Sequence, residues 1–156
     1  RRLFSVSINQ LEPEMADSTI EKLKTEGWIE SENVFGKCLV APKALREKWI
    51  PGLVKAIINW RITSNQSRTF SLMDTLALSI SDNANLIAGS IRAKLSDEDS
   101  RKADPIVDET ISGVDTYVTP QAGAYIHTKS ESADALEKAE QKLVEMMRAF
   151  PFEKQI

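Results

Sequence analysis

Residues 76–95 read LALSISDNANLIAGSIRAKL, and the fold reading turns on this stretch. Leu76, Ile80, Ala84, Ile87, Ile91 and Leu95 follow one another at steps of four, four, three, four and four. Such steps keep side chains on one face of an α-helix, so the spacing predicts an amphipathic helix here. Ser81-Asp82-Asn83 offers a point of interruption, because short polar side chains compete for backbone hydrogen bonds. A break there gives two helices, the second capped by Asp82 or Asn83.

Upstream, Pro42 suits the first turn of another helix, where its missing N–H costs nothing. Leu45, Trp49, Leu53, Ala56, Ile57 and Trp60 form its expected apolar stripe. Pro51 lies inside and predicts a kink near residues 46–50, or two helices. Near the start of the chain, Phe4, Val6 and Ile8 alternate with Ser5, Ser7 and Asn9, the period of a half-buried strand. Pro13 ends that strand, and Asp17 or Ser18 is placed to cap the next helix, which Gly27 closes. Residues 28–31 and 37–40 flank the flexible 33–36 segment and read as a β-hairpin.

Downstream, residues 96–113 carry Asp97, Glu98, Asp99, Asp104, Asp108 and Glu109 against Arg101 and Lys102, with Pro105 among them. The acidic excess and the lack of periodicity predict a solvated linker. Residues 114–119 and 123–128, separated by Pro120-Gln121-Ala122, read as a second hairpin. A final helix, capped by Ser130 or Ser132, buries Leu136, Ala139, Leu143, Met146 or Met147, and Phe150 before Pro151 stops it. The expectation is therefore an α+β, helix-rich fold with four or five helices, an N-terminal strand and two short hairpins. It divides into a helix-rich lobe at 1–95, the linker at 96–113 and a hairpin–helix lobe at 114–156.

A chain of 156 residues, 42% hydrophobic and 28% charged, has the composition of an ordinary globular domain. Its net charge of −3 selects no partner class. Cys38 is the only cysteine, so no internal disulfide forms, and a cytoplasmic, reducing setting is expected. No apolar run reaches the roughly 20 residues a membrane helix needs, so no membrane insertion is expected. The chain begins at Arg1 without a methionine, which suggests a segment of a larger protein.

No catalytic motif emerges. His127 is the sole histidine, and a strand histidine with a structural role accounts for it more simply than a Ser-His-Asp relay. One Cys and one His cannot fill a structural zinc site, which takes four ligands. The acidic run from Asp97 places Lys102 where a calcium loop requires glycine. The six glycines lack phosphate-loop spacing. Asn65-Gln66-Ser67 matches a glycosylation acceptor but follows no secretory signal. Catalytic, cofactor-binding and metal-binding residues are thus expected to be none.

Two features stand above that background. Between residues 37 and 68, Lys37, Lys43, Arg46, Lys48, Lys55, Arg61 and Arg68 face a single acid, Glu47. A basic stripe beside Trp49 and Trp60 suits nucleic-acid phosphates or an acidic partner protein. The helical spacing, however, assigns both tryptophans to the buried stripe and the charges to a solvated face. After the last helix, Phe150, Phe152 and Ile156 form a short apolar tail suited to docking on another protein.

The helix beginning near Asp17, Gly27, and the hairpin ending at Val40 together resemble the recognition helix and wing of a winged-helix domain. That resemblance implies a helix that enters the major groove and a wing that touches the DNA backbone. The order departs from that pattern: a strand, rather than two helices, precedes. The helix carries Glu21, Lys22, Lys24 and Glu26, a mixed face. The leading functional expectation is a non-catalytic protein-interaction or assembly module. Its partner is another protein or other parts of the same larger chain, and the alternative is a nucleic-acid-binding module.

Overall fold

The computed structural model describes residues 4–8, 13–60, 74–95, 102–124, 126 and 131–154. The fold is α+β: four α-helices and several small sheets are formed by the described residues. Two compact units are present, Arg1–Leu53 with Met146–Ile156, and Val54–Glu145. This division differs from the one composition suggests.

In the first unit, β1 (Ser5–Ser7), β2 (Ile29–Asn33) and β3 (Gly36–Val40) form an antiparallel sheet in the order β1-β3-β2. Helix α1 (Pro13–Thr25) begins ahead of Asp17 and Ser18, so these lie within it rather than at its cap. It ends where Gly27 takes a φ of +85°. Trp28 N–H then reaches the Leu23 carbonyl and Gly27 N–H the Lys24 carbonyl, satisfying two of the last helical acceptors. Between β2 and β3, Phe35 N–H donates to the Asn33 side-chain oxygen, and Gly36 has a φ of +104°. The Asx turn and the left-handed glycine together reverse the chain over Val34 and Phe35. On β3, Cys38 and Val40 pack with Phe152 and Phe4. Leu39, on the opposite face of the strand, is fully buried too.

Helix α2 (Lys43–Ile58) accommodates Pro51 without ending. Its buried line is Arg46, Ile50, Val54 and Ile58, at a constant step of four. This corrects the expected stripe: Trp49 is 53% exposed and Trp60, beyond the helix, 70%.

The second unit overturns the helical reading of residues 76–95. Here β4 (Ala77–Ile80) is followed by the short α3 (Ala84–Ser90) and β5 (Ile91–Leu95). Asn83 caps α3 by accepting from Asn85 N–H at 3.0 Å. The same apolar residues satisfy two periods: Leu76, Leu78 and Ile80, and Ile91, Ala93 and Leu95, also alternate. Strand pairing selects the second period. β4 pairs antiparallel with β7 (Asp115–Val118), and β5 with β6 (Ala103–Val107). Strand β6 thus lies inside the interval read as a linker.

Strand β7, the first strand of the expected second hairpin, pairs with β4, and residues 125, 127 and 128 of the expected second strand lie outside the described residues. Residues Pro120–Ala124 make a 3₁₀ turn, with Ala122 N–H donating to the Thr119 carbonyl. Val107, Val118, Ala122 and Ile126 form the core, with Leu76 and Ala77 packed against it. Helix α4 (Ala135–Ala149) buries Ala135 and Ala139, whereas Phe150 beyond its end is exposed.

Candidate functional site

The residues singled out by charge separate into distinct environments. Arg46 is 5% exposed. Its guanidinium donates to the Ala41 carbonyl and to the Glu153 carboxylate, and it lies 5.2 Å from the centroid of the Phe152 ring. Arg46 is therefore occupied inside the first unit and is removed from the candidate partner contacts. Lys37, Lys43, Lys48 and Lys55 are exposed. Lys37 lies opposite Glu32 in the β2–β3 register, a cross-strand pair of opposite charge. Arg61 and Arg68 lie outside the described residues, as do His127 and Ile156.

The proposed apolar tail also divides. Phe152 is 5% exposed and meets Phe4 edge-on at 5.5 Å between ring centroids. It is a core residue of the first unit, not a free docking group. Phe150 touches Phe152 at 4.8 Å but remains exposed.

The surface of α2 within the first unit carries the feature that sequence reasoning assigned to the core. Ala44, Lys48, Trp49 and Gly52 are all exposed. At about 100° per residue, Gly52 falls between Lys48 and Trp49 on the helix circumference. A Cβ at Gly52 would meet nothing within 4 Å, so the indole and the ammonium flank an open floor of small residues. Glu47, toward the other side, pairs with Arg148 at 2.8 Å. The signal that would have found this surface was the step-of-four line Arg46-Ile50-Val54-Ile58, which places Trp49 off the buried line.

Two shallow clefts lie among the described residues. One, of about 290 Å³, is lined by Ile8, Glu30, Ser31, Glu32, Lys37 and Cys38. There the Ser31 hydroxyl donates to the Glu153 carbonyl, and burial pushes the Cys38 thiol up, away from the reactive thiolate. Another, of about 200 Å³, contains Thr75 and Thr119, whose hydroxyls donate to the carbonyls of Ile58 and Leu76. Among the described residues, no group of three or more His, Cys, Asp or Glu side chains is arranged to hold a metal ion. No described helix is long and apolar enough to cross a membrane.

No family model matches this chain, and no curated protein or solved structure is significantly similar to it.

Proposed function

We infer that the chain is a non-catalytic protein-interaction module that docks a partner protein on the α2 surface at Trp49. The carrying observation is Trp49 itself: a large indole half in solvent on a well-formed helix, beside Lys48 and the open position at Gly52. Exposed tryptophan has a large apolar area to gain by burial, and interface energy concentrates in such anchors. The small residues beside it let a partner backbone approach closely. The lysine favours a partner surface with carboxylates at the rim.

A cytoplasmic setting belongs to the same proposal, supported by a lone cysteine kept as a buried thiol. Imaging of the tagged full-length protein tests the setting directly.

Affinity capture with intact protein and with Trp49→Ala tests the docking surface. A partner held by the parent and lost on substitution, with unchanged circular dichroism and melting, supports the reading. Equal recovery by both proteins rejects it.

The nucleic-acid alternative draws on the exposed Lys43, Lys48 and Lys55. It predicts binding to DNA or RNA that weakens steeply as salt rises. A flat titration at low salt removes it.

A further inference from the structure

Residues 150–154, Phe-Pro-Phe-Glu-Lys, lie beyond α4 and join no strand or helix. Their backbone bonds to itself. Phe152 N–H donates to the Phe150 carbonyl and Lys154 N–H to the Pro151 carbonyl, each at 3.0 Å. The second bond closes a four-residue turn with Phe152 and Glu153 at its centre. Of the five residues, Phe152 alone is buried. A self-contained turn is thus seated on the first unit as a short ligand is, by one ring, one carboxylate and one carbonyl.

The seat reads each of those groups. Phe4, Cys38 and Val40 receive the Phe152 ring, with Phe4 edge-on. The Arg46 guanidinium takes the Glu153 carboxylate and lies over the same ring. The Ser31 hydroxyl donates to the Glu153 carbonyl at 3.1 Å. Arg46 also donates to the Ala41 carbonyl, a contact independent of the turn, so the guanidinium is held in place by the first unit itself. A nearly buried arginine is costly without an anion, and Lys43 adds a second positive charge that favours one. The seat therefore selects an aromatic ring followed directly by a carboxylate.

We propose that this seat is a docking site for a partner protein that presents its own tight turn bearing Phe-Glu, and that residues 150–154 occupy it as a tethered stand-in. The segment seated there specifies the occupant. A short tether keeps the stand-in at an effective concentration of about millimolar or more, so the partner's turn binds by displacing it. A second copy of this chain fits less well. Exchange of the turn between copies trades identical contacts and costs the freedom of two separate molecules.

The test uses the full chain and a fluorescent synthetic peptide, Phe-Pro-Phe-Glu-Lys, measured by fluorescence anisotropy; it does not involve Trp49. Emptying the seat with Phe152→Ala is expected to raise peptide affinity about thirtyfold over the parent chain, the scale of one buried anchor. The Glu153→Gln chain, which keeps its own ring, is expected to gain up to about fivefold. A peptide with alanine in place of its second phenylalanine is expected to lose binding to both variants. Because Cys38 lines the seat, its labelling by a thiol reagent in either variant is expected to slow with the parent peptide and not with the alanine peptide. The Glu153→Gln chain carries the comparison should Phe152→Ala fail to fold. Equal binding of the two peptides, or no binding to the Glu153→Gln chain with Cys38 labelling unchanged, overturns the proposal. So does a dimer of the parent chain that Phe152→Ala abolishes, since the seat would then serve a second copy.

Discussion

The Arg46 guanidinium bridges the Glu153 carboxylate and the backbone carbonyl of Ala41, and its central carbon lies 5.2 Å from the centroid of the Phe152 ring. One nearly buried cation thereby joins α2 to a segment more than a hundred residues away in the chain. The C-terminal residues are structural partners of the first sheet, since Phe152 also contacts Phe4 and packs with Cys38 and Val40.

Truncation before Pro151 is accordingly expected to destabilise the first unit. Phe152→Ala alone removes a buried ring and is expected to cost about 3–5 kcal/mol in urea unfolding. An unchanged midpoint would return the tail to the role of a dispensable docking element.

The ion pair gives a pH signature. Hydrogen bonding to Arg46 holds the Glu153 carboxyl below its ordinary value of 4.5. Its folded pKa is depressed, so its stabilising contribution is fully present above the unfolded value and is lost as pH falls through the folded one. Glu153→Gln is expected to be less stable than the parent at neutral pH, and the gap should close on acidification below about 4.5. Because the Glu153 side chain is 40% exposed, the neutral-pH loss is expected to be modest, about 1 kcal/mol. A gap that stays constant with pH would assign the loss to packing.

Gly27 tests the closure of α1. Its φ of +85° disfavours any residue with a Cβ, although the nearest atom to an added Cβ, Pro42 Cγ, is 3.7 Å away. Gly27→Ala is expected to cost about 1–2 kcal/mol from backbone conformation alone. A neutral effect in thermal unfolding would show that the helix end adapts.

Cys38 reports on opening of the first sheet. It is 1% exposed, accepts from the Asn33 side-chain amide at 3.5 Å, and its thiol is pushed up by burial. Labelling by a thiol reagent is expected to be slow in the native protein and to accelerate with denaturant. Fast labelling without denaturant would mean that the sheet opens locally.

The places where the sequence was legible share a local cause. The Asn83 cap of α3 and the Gly27 closure of α1 depend on side-chain oxygen or backbone freedom within a few residues, and both stand where local chemistry puts them. Residues 76–95 were misread because their apolar positions fit steps of four and steps of two together. The deciding influence was β7, which is distant in sequence and supplies Thr116, Tyr117 and Val118 as ladder partners. Similarly, Arg46 carries a charge that favours the surface, and its burial is compensated by the distant Glu153 and Phe152 together with the Ala41 carbonyl. The spacing of Leu45, Trp49 and Leu53 assigns Trp49 inward at steps of four; the helix instead buries the line one step round, through Ile50 and Val54.

The central claim is that Trp49 marks a protein-docking surface. Site-specific photo-crosslinking in cells, with a benzophenone amino acid replacing Trp49, tests it most directly. Position Glu137, exposed on α4, serves as the control. The account predicts a discrete protein adduct from position 49 that is absent from position 137 and is competed by unmodified parent chain. Adducts to nucleic acid alone, or no adduct at position 49 while the folded protein is present at normal abundance, would contradict it.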